Sequence, residues 1–419
     1  MRDDRLDRLA DLLLNYSLKL NKGDLFEING GVPAKPLIKS LLKRAHALGT
    51  VPYVKLADDE LTRLFFGFID PKNPEVSRPA IDAQLEWENK YWDHMVAHVD
   101  IGIDENDAEL SAVDTTAMTY YRNARRLLRD KIIDERRWVY LHWPTKADAQ
   151  KAGMCYDDFY EFFLNAALVD YEQMARDMEP LVELMDKTDM VHLVGPGTDL
   201  TFSIKDIPTV PCHGELNIPD GEVYTAPVRD SANGTVQYNT PAMRYGKRFD
   251  NPRLVFKNGH IDEAGCDGDV AGFNEMLDAD EGARYLGEFA IGVNNAVTKS
   301  IGNTLYDEKI GGSFHLTPGC AYADAFNGNK SQLHLDIVCI QTKAFGGGEI
   351  WFDGKLIRKD GVFLLDSLKA PKLLESKNQL KSYIINHMQF LLVYNTQLQQ
   401  LQDQDQLFHL HLLLQLTSL

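Results

Sequence analysis

The feature that most constrains the fold of this chain is a regular alternation of strand-like and helical segments in its first 150 residues. Apolar runs of strand length occur at Leu25–Ile28, Val51–Leu56, Val96–Ile103 and Trp138–Trp143. The intervals between them carry apolar residues at helical spacing. Because a β-α-β-α order is typical of a parallel sheet with helices on both faces, the sequence predicts an N-terminal α/β domain.

The helices are predicted from this spacing and from glycine breaks, such as Gly49 at the end of one helix. The last is predicted as a single long helix, whose aromatic and apolar face is typical of core packing and not of a ligand site. The predicted helices cover residues 1–20, Ala34–Leu48, Glu60–Phe66, Arg78–His94, Thr116–Glu135 and Tyr156–Lys187.

From about residue 190 the sequence changes to short strand-like runs separated by glycine, proline and asparagine. Asn233-Gly234, Asn258-Gly259 and Asp353-Gly354 are typical hairpin turns. We therefore predict a β-rich, mainly antiparallel domain with a few helices. The predicted strands are Val191–Val194, Leu200–Ile204, Gly221–Ala226, Thr235–Tyr238, Arg253–Lys257, Phe289–Val293, Gln332–Ile340 and Glu349–Phe352.

Three parts of the chain are expected from these changes in texture. Residues 1–188 form the α/β domain, and residues 189–369 form the β-rich domain. Residues 370–419 are an atypical Leu- and Gln-rich tail that is helical or disordered. The tail contains His409 and His411 at a two-residue spacing, but nothing near them supports a metal site.

Charge and cysteine content exclude several classes of protein. The formal net charge of -18 disfavours binding to nucleic acid or to an anionic membrane surface. No apolar run approaches the roughly 18 residues of a spanning helix, and the first residues lead into an amphipathic helix. The five cysteines are scattered and include no CxxC pair, which fits a reducing compartment. We expect a cytoplasmic protein.

Chemistry is first suggested by His334 and Asp336, which lie two residues apart in an alternating apolar run. Side chains in a strand repeat with a period of two, so both would project from the same face. An imidazole beside a carboxylate can supply two ligands to a divalent metal. The alternative is a strand with a polar, solvated face, and these two residues alone leave it open.

Two glutamates lie in unusually apolar surroundings. Glu222 follows a Pro-Asp-Gly turn at the start of a strand-like run, and Glu288 is the one charge in an apolar and glycine-rich segment. Burying such a charge is costly unless it is paired or bound to a metal. With His315, His334 and Asp336 they form a set of three carboxylates and two imidazoles, which suits two Zn²⁺, Co²⁺ or Mn²⁺ ions.

The motifs that contain these residues resemble those of a known family. They are Gly221–Pro227, Gly287–Gly292, Gly311–Leu316 with Tyr322, and Ser331–Asp336, supported by Phe159–Phe163 and Trp351–Ile357. In this order they resemble the thermophilic metallo-aminopeptidases, the group of aminopeptidase T, aminopeptidase S and PepS, from the N-terminus to about residue 369. The resemblance implies a homodimeric aminopeptidase, an exopeptidase that removes the N-terminal residue of peptides with two divalent metal ions (Zn, Co, Mg or Mn).

Carried over by position, the resemblance implies metal ligands at Glu222, Glu288, His315, His334 and Asp336, with Glu288 bridging the ions. Tyr322 matches the catalytic tyrosine, whose phenol can donate a hydrogen bond to a developing oxyanion. A metal-activated water would attack the peptide carbonyl. The alternatives are a non-catalytic peptide- or metal-binding relative and another dinuclear hydrolase such as an amidase. Glu215, Asp220 and Asp324 are candidates for binding the substrate amino group.

Overall fold

The computed structural model describes residues 3–244 and 247–369. Contacts group Met1–Leu368 into one compact unit. The predicted tail at 370–419, with His409 and His411, lies outside the described residues. The division of the chain at residues 188 and 189 stays a prediction.

The first half alternates helices with parallel strands, as the sequence predicts. A π-helical turn, Leu12–Ser17, extends the first helix toward the first strand. The elements are α1 (Arg5–Asp11), β1 (Leu25–Gly31), α2 (Lys35–Leu48), β2 (Val51–Ala57), α3 (Asp59–Phe66), α4 (Pro74–Trp92), β3 (Ala97–Gly102), α5 (Thr115–Ala124), α6 (Arg126–Glu135), β4 (Arg137–His142), α7 (Lys146–Lys151), α8 (Tyr156–Ala167) and α9 (Tyr171–Met185).

Two predicted helices are each broken in the structure. The helix expected at Thr116–Glu135 is divided at Arg125, and the long helix expected at Tyr156–Lys187 stops at Ala167 and restarts at Tyr171. The second break has a local cause, because Asp170 has extended backbone angles and its carboxylate accepts a 2.9 Å hydrogen bond from the Gln173 amide. Asp170 is therefore an N-cap that starts a new helix.

The second half is built from short strands, with two α-helices among the described residues. These elements are β5 (Met190–Gly195), β6 (Thr198–Ser203), β7 (Val210–Cys212), β8 (Asn217–Ile218), β9 (Glu222–Thr225), β10 (Asn233–Gln237), β11 (Ala242–Arg244), β12 (Lys247–Lys257), β13 (His260–Asp267), α10 (Val270–Leu277), β14 (Leu286–Gly292), α11 (Thr304–Asp307), β15 (Ser313–Pro318), β16 (Ile337–Ile340), β17 (Glu349–Phe352), β18 (Lys355–Lys359) and β19 (Val362–Phe363).

Three sheets organise these strands. The first is parallel, in the order β2-β1-β3-β4-β8, and its last strand comes from the second half of the chain. The second is antiparallel and nine-stranded, in the order β11-β12-β10-β6-β5-β17-β18-β19, with β13 paired to β12. The third is antiparallel, in the order β16-β15-β14-β9-β7. These sheets confirm the predicted fold class, α/β followed by a β-rich antiparallel region.

Two details of the strand prediction are wrong. Asn233-Gly234 lies inside β10 and pairs with β6, so it is not a turn, whereas Asn258-Gly259 and Asp353-Gly354 do connect adjacent strands. The strand expected at Gln332–Ile340 begins only at Ile337. Residues before it run irregularly, held by a bridge between Gly319 and His334 and by a 2.7 Å hydrogen bond from the Cys320 amide to the Leu333 carbonyl.

Candidate metal centre

The predicted ligands meet on one face of the third sheet. In an antiparallel pair, directly opposed residues project from the same face, and so do residues two apart on one strand. Gly292 opposes Glu222, and Ala290 opposes both Tyr224 and His315. Glu288, two residues before Ala290, therefore shares this face with Glu222 and His315. These ligands on three neighbouring strands therefore surround Ala290, whose side chain is small.

Glu288 lies at the centre of the cluster, with one oxygen toward each histidine. Its Oε1 lies 2.8 Å from His315 Nε2, and its Oε2 lies 3.7 Å from His334 Nε2. On the other side, Glu222 Oε2 is 3.6 Å from His315 Nε2. A carboxylate whose two oxygens face two different imidazoles is arranged as a bridging ligand would be.

His334 and Asp336 are close to each other although the predicted strand is absent there. Their Nε2 and Oδ1 atoms are 3.4 Å apart. His334 Nδ1 lies 2.8 Å from the carbonyl oxygen of Cys320, so Nδ1 keeps its proton and Nε2 is the nitrogen that would bind an ion after losing its own proton. The hydroxyl of Thr317 donates a 2.6 Å hydrogen bond to Asp336 Oδ1 and fixes that carboxylate.

Glu308 and Lys309 also belong to the site, and the sequence analysis missed both. The donor atoms of Glu308, His315 and Asp336 all lie within 4.8 Å of one another. Lys309 is buried and its Nζ lies 2.6 Å from Glu222 Oε1. Their loop reaches the sheet at Gly292, where a Cβ atom would stand 2.3 Å from the Ile310 carbonyl oxygen. Only glycine allows this approach, and Gly292 is the last residue of the Gly287–Gly292 motif.

Several buried polar atoms of this donor set lack hydrogen-bond partners within the described residues, and a metal ion could satisfy them. Glu222 Oε2, Glu288 Oε2 and His315 Nδ1 are buried and lack a hydrogen-bond partner within the part of the chain that the structure describes. An unsatisfied buried carboxylate oxygen costs about 1–3 kcal/mol or more. The residues therefore fit divalent ions with mixed carboxylate and imidazole ligands.

The electrostatics of the cluster favour binding of cations. Burial lowers the pKa of His315, but its hydrogen bond to Glu288 and the charges of Glu222 and Glu288 outweigh burial and raise that pKa to about 9. Burial also lowers the pKa of His334, but the charges of Asp336 and Glu288 outweigh burial and raise that pKa to about 10. Burial raises the pKa of Glu222 although Lys309 opposes this shift. The metal-free protein therefore holds extra protons where ions would bind.

Tyr322 lies at the edge of the same cluster. Its ring centroid is 4.5 Å from that of His334, and its ring packs edge-on against Tyr224. Loss of solvent around the phenol and the charges of Asp336 and Glu288 raise its pKa far above the ordinary value. The phenol therefore stays protonated and able to donate, although about half of the surface of the residue as a whole is exposed.

The structure thus brings together all six predicted site residues, Glu222, Glu288, His315, Tyr322, His334 and Asp336. The three candidates for binding the substrate amino group do not lie together. Glu215 pairs with Lys19 at the surface, and Asp220 is buried against Lys309. Asp324 is exposed and lies in the short helical turn Ala323–Ala325, which follows Tyr322.

A sheet face that carries clustered carboxylates and imidazoles defines a candidate metallohydrolase. Comparison with known families gives the same class, because residues 2–357 match the thermophilic metalloprotease (M29) family. The chain belongs to this family, which confirms the predicted family.

Curated relatives carry aminopeptidase names. The chain is 24% identical over 407 residues to aminopeptidase 2 of Geobacillus stearothermophilus, covering 86% of this chain and 95% of that protein. It is 31% identical over 199 residues to aminopeptidase T of Thermus aquaticus, covering 41% and 46%. The family and these names indicate a metal-dependent aminopeptidase, which confirms the predicted class of enzyme.

The fold has a counterpart among solved structures. Wild-type AmpT from Thermus thermophilus superposes with a TM-score of 0.73 at 20% sequence identity, covering 86% of this chain and 99% of that one. This likeness shows that the two chains share a fold. Among the described residues, every helix is too short or too polar to cross a membrane.

Proposed function

We propose that this chain removes the N-terminal residue from peptides by using two divalent ions held on the third sheet. The observation that carries the proposal is Glu288, whose two oxygens each face a different histidine. One ion would be held by Glu222, Glu288 and His315. The other would be held by Glu288, His334 and Asp336, and Glu308 is close enough to Asp336 and His315 to contribute an oxygen.

The charge of the cluster supports two ions over one. Asp220, Glu222, Glu288, Glu308 and Asp336 are linked through direct contacts with Lys309 or with the two histidines. When these carboxylates are ionised and the imidazoles neutral, five negative charges face the one positive charge of Lys309. Two divalent cations bring this buried set to neutrality, whereas one leaves an uncompensated charge that is costly to bury.

The chemistry divides between the ions and the side chains of the protein. Bound divalent ions supply Lewis acidity, which makes water nucleophilic near neutral pH and polarises the scissile carbonyl. The phenol of Tyr322 donates a hydrogen bond to the oxygen on which negative charge develops. The Cys320 carbonyl and the Thr317 hydroxyl hold His334 and Asp336 in orientation while this happens.

The test is a comparison of free and blocked peptides. Protein stripped with a chelator is assayed on aminoacyl-p-nitroanilides and on a leucyl peptide with and without an N-acetyl group, before and after addition of Co²⁺, Zn²⁺, Mg²⁺ or Mn²⁺. The proposal predicts metal-restored release of the first residue from the free peptide only. Absence of restored activity across aliphatic, aromatic and basic residues would refute it. Cleavage of the blocked peptide or of simple amides instead would indicate another dinuclear hydrolase.

Two further parts of the proposal concern assembly and location. The family resemblance suggests a homodimer, which sedimentation of the metal-loaded protein would test. The five cysteines are all free, in keeping with the reducing, cytoplasmic environment expected from the sequence.

A further inference from the structure

Lys309 is the one buried ammonium in contact with the proposed ligands among the described residues. Its Nζ lies 2.6 Å from Glu222 Oε1, 2.9 Å from Glu308 Oε1 and 3.2 Å from Asp220 Oδ1, with 1% of the side chain exposed. The ammonium donates a hydrogen bond to Glu222 and forms ion pairs with Glu308 and Asp220. This arrangement goes beyond neutralising a single charge.

The contact with Lys309 makes the two carboxylate oxygens of Glu222 different from each other. Oε1 receives the hydrogen bond from Lys309, while Oε2 has no hydrogen-bond partner among the residues that the structure describes and lies 3.6 Å from His315 Nε2. A free carboxylate can bind an ion through one oxygen or through both. The positive charge of Lys309 beside Oε1 repels a cation there, so Oε2 is the oxygen of Glu222 that is left for an ion.

Lys309 itself is held in place from the opposite side. Asp220 accepts hydrogen bonds of 2.7 and 2.9 Å from the amides of Gly214 and Gly221, so its carboxylate is fixed by the backbone. The close approach of the Ile310 carbonyl to Gly292 fixes the loop that carries Lys309. Neither the ammonium nor its partners can therefore turn away without disturbing the main chain.

We propose that Lys309 is a positioning residue that engages one oxygen of Glu222, so that Glu222 binds its ion through the other oxygen alone. The inference rests on the proposed two-ion function. Limiting Glu222 to one oxygen keeps the coordination number low, which leaves a position open for water and the substrate carbonyl. Lys309 thereby acts on the reaction through Glu222 and does not touch substrate.

The test is the visible spectrum of the Co²⁺-loaded protein, because Co²⁺ of low coordination number absorbs more strongly than six-coordinate Co²⁺. Lys309→Met is close in length and removes the ammonium. It is expected to bind two ions, to lose visible absorbance, and to lose about tenfold or more in kcat. Lys309→Arg, which keeps the charge and the donors, is expected to restore the spectrum. Lys151→Met removes a lysine that pairs with Asp107 and Asp148, and serves as the matched control with an unchanged spectrum.

Lys309→Met leaves the buried carboxylate of Asp220 without its cation, so the single variant could fail to fold. The double variant Asp220→Asn/Lys309→Met removes one charge of each sign and avoids this problem. It is expected to show the same loss of absorbance at two ions per chain. A spectrum equal to that of the wild type in either folded methionine variant overturns the role of Lys309. Absence of a two-ion spectrum in the wild-type protein overturns the proposed function instead, so the two failures are distinguishable.

Discussion

Two regions of this protein bring a histidine beside carboxylates, and they differ in how completely the protein satisfies them. One is the metal centre on the third sheet. The other follows strands β3 and β4, where donor atoms of Asp104, His142 and Asp148 also lie within 4.8 Å of one another. By composition the two clusters are alike, since each offers an imidazole and at least two carboxylates.

In the second cluster, Asp148 is compensated by neighbouring side chains. Asp148 accepts a 2.8 Å hydrogen bond from the Thr145 hydroxyl and lies 3.1 Å from His142 Nε2, and Lys151 Nζ is 3.2 Å from its other oxygen. Thr145 and Asp148 form the capping box of helix α7. Asp148 Oδ1 is buried without a hydrogen bond, but the ammonium of Lys151 compensates its charge.

In the metal centre, Glu222 Oε2 and Glu288 Oε2 also lack hydrogen bonds within the described residues and lie 3.6 and 3.7 Å from imidazole nitrogens. Buried carboxylate oxygens without a lysine beside them, more than the list of residue types, therefore distinguish the metal site from the structural network.

Among the substitutions that test the difference between the two clusters, Glu288→Gln is expected to have the largest effect. Glu288→Gln replaces one carboxylate oxygen by an NH₂ group, which cannot bind a cation, so the bridge is lost. We expect kcat/KM to fall about 1,000-fold, or about 4 kcal/mol of transition-state stabilisation, together with the number of bound ions. Steady-state assays and elemental analysis check this, with the exposed Glu281→Gln as control. Wild-type turnover in Glu288→Gln would show that the bridging assignment is wrong.

The raised pKa values of His315 and His334, about 9 and about 10, predict proton release on metal binding. Both imidazoles are protonated in the metal-free protein at pH 7, and ions bind only the neutral form. The two imidazoles should therefore raise affinity about 100-fold per pH unit below pH 9, which corresponds to two protons released, and Glu222, whose pKa burial raises to about 8, should release a third proton below that pH. Calorimetry in buffers of different ionisation enthalpy measures this number. No proton release would mean that the histidines are not ligands.

Tyr322 tests the division between holding ions and stabilising charge. Tyr322→Phe removes the hydrogen-bond donor and keeps the ring beside His334, so kcat should fall about 100-fold at unchanged ion content. Tyr53→Phe, at an exposed tyrosine of β2, is the control. If Tyr322→Phe loses bound metal, the tyrosine is a ligand and the assignment changes.

The helix-capping cluster should respond in the opposite way. Asp148→Ala leaves His142 and Thr145 without their partner, and we expect the free energy of unfolding to fall by about 2 kcal/mol. Chemical denaturation measures this change. Ion content and kcat are expected to match the wild type, and a drop in bound metal would remove the distinction between the two clusters.

Much of the site could be predicted because its signals are local. Glu222 and Glu288 each place a charge in an apolar run, and the two-residue spacing of His334 and Asp336 indicates a shared side. The structure keeps these two side chains together although the strand begins only at Ile337. Here spacing was a better guide to the relative placement of two side chains than to regular structure.

Lys309 and Glu308 could not be predicted in the same way. Asp307, Glu308 and Lys309 together have the composition of a solvated turn, and their burial depends on a distant contact with Gly292. The break before α9 was a different kind of miss. Asp170 followed by Gln173 is a recognisable helix start, but the continuous apolar face on both sides favoured one long helix.

The most direct test of the two-ion centre is a titration of the metal-free chain with Co²⁺, following bound ions per chain and hydrolysis of an aminoacyl-p-nitroanilide in the same samples. We predict that activity reaches its plateau at two ions per chain in the wild-type protein, and that Glu288→Gln reaches neither this stoichiometry nor this activity. Full activity at one ion per chain, or two ions and full activity in Glu288→Gln, would contradict the account.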